Sequence, residues 1–290
     1  GAGTPSSVGV TIGSSNTAPV VSNVTITPDE PRTGDDMDVS WTFFDEDQDV
    51  VDQCTIEWIR NTVHEVTYDG LDPLPASATT RDESWVVRVS CSDGEAFSLA
   101  VTSSVMSIND TAPTVTTASL SPEQPSSSED IVLTWQGDDV DDDQITGASI
   151  AWFKDTLEIP SLGNLTTLSS IHTARGDVWH ASVQAQADGK VGGPFFTSSV
   201  TILNSPPSVT VIGIGPAQPT AAADLTLDLT TADADDDVVT IASVRWIRDG
   251  FEISELADDI SAPARLLAPG QTWLVHVTLS DGVVTTSEFT

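Results

Sequence analysis

Three short acidic runs hold the side chains best placed to do chemistry. Asp45, Asp47 and Asp49 occupy alternate positions, as do Asp139, Asp141 and Asp143, and again Asp233, Asp235 and Asp237. On a loop, Asp-x-Asp-x-Asp lets several carboxylate oxygens converge on one cation. Calcium suits such a set because it accepts about six to eight oxygen ligands in irregular geometry. A solvated, flexible loop is the other reading. Against it, crowded carboxylates without a counter-ion raise one another's pKa and cost stability. Other chemistries find little support. His64, His172, His180 and His276 fall at unrelated places, and HExxH, CxxC, GxSxG and a Gly-rich loop leading into a helix are all missing from the sequence. An enzyme is not expected.

The elements that must position these carboxylates repeat with them. Trp58, Trp152 and Trp246 are 94 residues apart, and so are Trp85, Trp179 and Trp273. Trp41 and Trp135 keep the same interval, continued by Leu229, and Pro19, Pro113 and Pro207 do too. A register shared by this many series marks three tandem copies of one unit. Each copy reads as short strands with period-2 alternation, in the first copy 20–27, 37–44, 54–60, 85–91 and 97–108. "SDG" at 92–94, "ADG" at 187–189 and "SDG" at 280–282 are hairpin turn signals. About 94 residues with roughly seven strands is the size of an immunoglobulin-like sandwich. The expected fold is all-β: three tandem immunoglobulin-like β-sandwich domains, the last lacking its terminal strand segment. The boundaries expected are 1–15 for an amino-terminal donor strand and linker, then domains at 16–112, 113–206 and 207–290.

In that topology the loop between the second and third strands and the "DG" turn lie at the end where the chain comes in. The expected cation clusters follow. The first is Asp45, Asp47, Asp49, Asp93 and Asn16. The second is Asp139, Asp141, Asp143, Asp188, Asn109 and Asp110, and the third is Asp233, Asp235, Asp237, Asp281 and Asn204.

At "NTAPVV" (16–21), "NDTAPTV" (109–115) and "NSPPSV" (204–209), with the Asp triplets and "DG" turns, the chain resembles tandem immunoglobulin-like repeats of large bacterial and archaeal surface proteins, similar in style to cadherin-like and polycystic-kidney-disease-type modules. The resemblance spans essentially the whole chain. It implies an extracellular stack of sandwiches used for reach, adhesion or assembly, with calcium at the junctions and no catalysis. The chain departs from the cadherin-like pattern in lacking the full linker and its glutamates.

With 10 basic and 44 acidic residues the formal net charge is −34. Nucleic acid and anionic membranes are poor partners for such a surface, since phosphate binding needs clustered Lys and Arg. Cations are favoured, and a surface suited to salty water is the simpler account of the charge outside the triplets. No apolar run is long enough to span a bilayer. The start at Gly1 and the lack of a signal peptide lead to the expectation of a processed extracellular chain. Cys54 and Cys91 are placed on neighbouring strands, and their counterparts Ala148/Ala185 and Ala242/Leu279 lose both thiols together. A disulfide or two buried thiols both fit; the former belongs outside the cytoplasm. Asn23, Asn109 and Asn164 stand in N-x-Ser/Thr sequons and are glycosylation candidates.

The ends of the copies differ. The first closes with "FSLAVTSSVMSIND" (97–110) and the second with "FFTSSVTILN" (195–204), whereas the third stops at "SEFT" (287–290). "PSSVGVTIGSSNTAP" (5–19) leads the chain, and Val10-Thr11-Ile12 matches Val200-Thr201-Ile202. A donor strand built on Ser6, Ser7, Val8, Val10 and Ile12 is therefore expected to complete the third sandwich of another copy, giving a head-to-tail homopolymer. Alternatives are a tandem segment of a large adhesin or surface stalk, and a carbohydrate-binding module using an exposed Trp. Other surface proteins or glycans are further candidate partners.

Overall fold

The computed structural model describes residues 15–290, so Ser6, Ser7, Val8, Val10 and Ile12 lie outside the described residues. Strands joined by short 3-10 turns make up the regular structure described. The chain forms two compact bodies. One holds the residues up to Thr114 with Asp138–Thr146 and Gln186–Gly192; the other holds Val115–Gly137, Gly147–Ala185 and Gly193–Thr290.

In the first body, Val20–Thr27 and Asp38–Phe44 pair antiparallel as one sheet. In the second sheet Gln53–Arg60 pairs with Ser84–Ser92, flanked by Val63–His64 on one side and by Val101–Thr102 and Met106–Ser107 on the other. Alternation decides which face is buried. Trp85, Val87, Val89 and Cys91 point inward while the residues between them stay partly exposed. Val21, Val24, Ile26 and Val39 of the facing sheet close the core. Trp58 is fully buried, and its indole N–H donates to the Leu71 carbonyl at 3.0 Å, so the ring brings no unpaired donor into the core.

The second body repeats this plan. Ser208–Gly215, Leu225–Ala232 and Ser261–Ala262 form one sheet. Phe251–Glu252, Thr240–Arg248, Trp273–Ser280 and Thr285–Phe289 form the other, over Leu225, Val244, Trp246, Val275, Val277 and Leu279. The middle copy has a sheet of Thr114–Ser121, Ile131–Asp138 and Thr167–Leu168 and a second built on Ile145–Lys154 and Val178–Ala187. The molecule is thus three tandem immunoglobulin-like sandwiches. Among the described residues no helix is long and apolar enough to cross a membrane.

Two expectations need correction. The strand expected over 97–108 is broken into Val101–Thr102 and Met106–Ser107. Serine hydroxyls cause the break: Ser98 Oγ accepts the Cys91 N–H at 3.0 Å and Ser103 Oγ the Val87 N–H at 3.1 Å, each standing in for a ladder carbonyl. Nor do the tryptophans all fill the sandwich cores, as their recurrence in every copy leads one to expect. Trp41 and Trp135 are only half-buried, and Trp273 is half-buried where Trp85 is 0 % and Trp179 2 % exposed.

The final strand of the third copy also runs in its own register. Arg88 faces Thr102 and Ser182 faces Phe196, but His276 faces Phe289, one residue earlier in the repeat. One residue of slip exchanges the two faces of a strand. The hydroxyls that pin the register, Ser103 and Thr197, take the Val87 and Ala181 N–H groups.

Cys54 and Cys91 oppose each other directly across Gln53–Arg60 and Ser84–Ser92, and their sulfurs are bonded at 2.03 Å. Of the sequon asparagines, Asn23, Asn109 and Asn164 are all exposed.

Candidate functional site

The three acidic loops fold alike because each binds its own backbone. The first Asp of each triplet accepts the N–H of the second: Asp47 to Asp45 Oδ1, Asp141 to Asp139 Oδ1 and Asp235 to Asp233 Oδ1, each at 2.8 Å. The second Asp accepts the N–H of the incoming linker: Thr17 to Asp47 Oδ2 at 2.6 Å, Thr111 to Asp141 Oδ2 and Ser205 to Asp235 Oδ2 at 2.7 Å. The linker is thereby tied to the loop. The turn aspartates complete each cluster. Asn16 Nδ2 donates to Asp93 Oδ2 at 3.1 Å and Asn204 Nδ2 to Asp281 Oδ2 at 2.8 Å. The Ala96 and Glu95 N–H groups hold the Asp93 carboxyl below its usual range. Burial pushes Asp281 up, but the Val284 and Val283 N–H groups and Asn204 outweigh it and bring it below the usual range.

Four carboxylate oxygens are left over, three of them at equivalent positions and the fourth, Asp141 Oδ1, in the second copy alone. Asp45 Oδ2, Asp139 Oδ2 and Asp233 Oδ2 are buried and have no hydrogen-bond partner among the described residues. Asp45 is 7 % and Asp139 6 % exposed. A buried carboxylate oxygen without a partner is costly unless a cation meets it. Ligand atoms of Asp45, Asp47 and Asp49 lie within 4.8 Å of one another, and so do those of Asp233, Asp235 and Asp237 and those of Asp110, Asp143 and Asp188. The first and third sets, all hard oxygen on one irregular loop, fit calcium, whereas the second joins the linker Asp110, the loop Asp143 and the turn Asp188.

Sequence reasoning missed two arginines. Arg81 Nη1 donates to Asp143 Oδ2 at 2.5 Å and to Asp110 Oδ1 at 3.1 Å. Arg175, 94 residues on, donates to Asp237 Oδ2 at 2.5 Å and also to Asn204 Oδ1. Asp143 first, then Asp110, keeps Arg81 protonated well above its ordinary range, and Asp237 shifts Arg175 in the same direction. Lys190 Nζ adds a second cation 3.7 Å from Asp110 Oδ2. A signal was available, since Arg81–Asp143 and Arg175–Asp237 share one spacing of 62 residues. Asn109 does not join its cluster. Its Nδ2 donates to the Pro31 carbonyl at 3.3 Å, while Asp110, also expected there, does join, beside Asp143 and Asp188. Asp188 is on the edge, 4.0 Å from Arg81 and largely exposed.

A different feature marks the opposite end of each sandwich. In the first copy Ile108 is 2 % exposed; its N–H donates to Glu83 O at 2.9 Å and its carbonyl accepts from Asp82 N at 3.0 Å. Asn109 then donates to Pro31 O at 2.8 Å. In the second copy Ile202, 1 % exposed, bonds Asp177 O and Gly176 N, and Leu203 bonds Pro125 O. The same place in the third copy is a cleft of about 280 Å³ lined by Ile214, Pro219, Leu225, Leu267, Pro269 and Trp273 among others. Gly270 N–H and Gln271 C=O, which correspond to the Gly176 and Asp177 groups, have no backbone partner among the described residues. Positions buried elsewhere are half-exposed here: Ile214 against Ile26 and Leu120, and Trp273 against Trp85 and Trp179.

No protein-family model and no curated protein matches this chain. Solved structures do. The FN1–FN3 domains of chicken CNTN1 are 9 % identical, with 94 % of this chain and 99 % of that chain covered at a TM-score of 0.30. Three N-terminal domains of the bacteriophage RB49 highly immunogenic outer capsid protein (Hoc) are 13 % identical, covering 94 % and 97 % at 0.30. Sidekick-1 immunoglobulin domains 1–5 are 13 % identical, covering 95 % of this chain and 58 % of that one at 0.29. The fold is read from the chain's own sheets.

Proposed function

We propose that this chain is a structural subunit of an extracellular fibre, polymerising head to tail by donor-strand complementation. Residues 6–13 of one copy complete the third sandwich of the next, with Ile12 taking the place that Ile108 and Ile202 hold in their own sandwiches. The cleft beside Trp273 is the observation that carries this reading. Ile214, Leu225, Leu267 and Trp273 give it an apolar wall, Gly270 N–H and Gln271 C=O beside it have no backbone partner among the described residues, and it corresponds to a site filled twice elsewhere in the chain. Burying Val8, Val10 and Ile12 supplies about 4–9 kcal/mol gross at roughly 1.5–3 kcal/mol per side chain, before ordering costs. Calcium at the acidic clusters stiffens the joints, with Asp45, Asp139 and Asp233 supplying the oxygens left free by the loops. The Cys54–Cys91 disulfide supports a location outside the reducing cytoplasm.

A synthetic peptide of residues 5–19 tests the joint. Added to a chain lacking residues 1–15, it is expected to raise the melting temperature and shift Trp273 fluorescence to the blue as the ring is covered. No binding, or binding that leaves the emission unchanged, refutes the reading. The same cleft also suits a tandem segment of a larger adhesin or stalk, in which a covalently following stretch fills it. Intact mass of native material separates the two: a mass near 30.5 kDa plus modifications supports the subunit, and a much larger one supports the array.

A further inference from the structure

The three acidic clusters differ in what neutralises them. Arg81 and Lys190 sit against Asp110 and Asp143, and Arg175 sits against Asp237. Among the described residues no basic side chain lies within ion-pair distance of Asp45, Asp47, Asp49 or Asp93. The repeat explains why. Each arginine belongs to the copy before the cluster it serves, and the third copy carries Pro269 where the others carry Arg81 and Arg175. A joint between the third sandwich of one chain and the first of the next therefore has no arginine to contribute. It is also looser by two residues, since Ile12 to Pro19 is seven positions and Ile108 to Pro113 and Ile202 to Pro207 are five.

We infer that Asp45, Asp47 and Asp49, with Asn16 and Asp93, form the tightest calcium site of this chain, and that the joint between successive chains is closed by this ion where the internal joints are closed by arginine. The ion site stands on the first sandwich alone; its consequence for assembly rests on the head-to-tail reading above. Asp45 gives the second, independent observation. Its side chain is more than nine-tenths buried, Oδ1 is taken by the Asp47 and Asp49 N–H groups at 2.8 and 3.3 Å, Oδ2 has no partner among the described residues, and a carboxylate oxygen of Asp45 lies within 4.8 Å of those of Asp47 and Asp49. Asp139 Oδ2, Asp141 Oδ1 and Asp233 Oδ2 likewise have no partner among the described residues, so the internal clusters keep an affinity of their own, and what sets them below the first is the arginine. There a guanidinium occupies the third carboxylate and repels a divalent ion at close range, a penalty on the order of tenfold or more in affinity. Calcium is preferred over magnesium because the loop supplies ligands in irregular positions and magnesium holds to octahedral geometry with retained water.

Calorimetric titration of the full-length chain with calcium chloride, after chelator treatment, reads the ranking. One tight step is expected, abolished by Asp45→Asn and weakened by Asp49→Asn, whose exposed side chain leaves folding undisturbed. Arg81→Gln and Arg175→Gln are each expected to tighten one weak site by about tenfold or more. A tight step that survives both aspartate variants overturns the inference, as do three equal sites indifferent to the arginines. Electron microscopy of the same samples reads the joint: fibres are expected to dissolve in chelator, and Pro269→Arg to make them resistant. Fibres indifferent to calcium overturn the gating. A chain that never forms fibres but shows the titration ranking refutes the polymer reading and leaves the ion site standing.

Discussion

Truncating the isoleucine that closes each sandwich gives a calibrated test of the joint. Ile108 and Ile202 are 2 % and 1 % exposed, so replacing either with alanine removes a fully buried side chain beside Trp85 or Trp179. Such a change costs about 2–5 kcal/mol, depending on how far the site collapses. Ile108→Ala and Ile202→Ala are expected to lower the unfolding free energy of their own sandwich by that amount, read from urea titrations followed by tryptophan fluorescence and hydrogen exchange. Ile12→Ala removes the same group from the other side of a joint between molecules. The isolated chain should unfold as before, while the joint weakens by the same energy, roughly thirtyfold to several thousandfold in dissociation constant. Sedimentation velocity across a dilution series measures it. Fibre growth untouched by Ile12→Ala, with the two internal variants destabilised as calculated, refutes the assignment of Ile12 to the cleft.

The remaining expectations concern the cores and the ions. Replacing both Cys54 and Cys91 with alanine frees a loop with a sequence separation of 37, so the first sandwich should lose about 3–4 kcal/mol while the third keeps its midpoint. His276 is buried and accepts from Arg245 Nε at 3.1 Å; burial first and Arg245 second hold its pKa below the ordinary 6.5. The unfolded chain then binds the proton more readily, so the third sandwich should be constant in stability above that value and lose stability as pH falls through it. Urea midpoints at about pH 8 and pH 5 check the sign, and His276→Gln should flatten the difference. Calcium at 100 times its dissociation constant should stabilise the first sandwich by about 2.7 kcal/mol, lost on chelation; an unchanged melting temperature counts against the cluster as a metal site.

The strands and the repeat were legible in the sequence because both are periodic. Two-residue alternation marks Ser84–Ser92 as a strand with Trp85, Val87 and Val89 on one face, and the 94-residue interval places the same face in every copy. The acidic loops were legible for a related reason: Asp45, Asp47 and Asp49 are close in sequence, and a cluster built on one loop needs no distant partner to be recognised.

What the sequence hid depends on contacts between distant residues. That Asn109 turns away from the cluster while Asp110 enters it depends on which way two adjacent side chains face, and the backbone bond of Asn109 to Pro31 decides it. The arginines lie 62 residues from the carboxylates they meet, a distance no local pattern reports. The break in the strand after Phe97 arises because Ser98 and Ser103 offer hydroxyls where the ladder needs carbonyls, a competition invisible until the strands are paired. The half-burial of Trp273 is tertiary in the same sense. Both rings meet a core tryptophan edge-on and an arginine face-on, Trp85 with Trp58 and Arg60 and Trp273 with Trp246 and Arg248, yet only Trp85 is sealed from solvent. Sequence periodicity sets which residues face inward; packing against residues far along the chain sets whether that interior is finished.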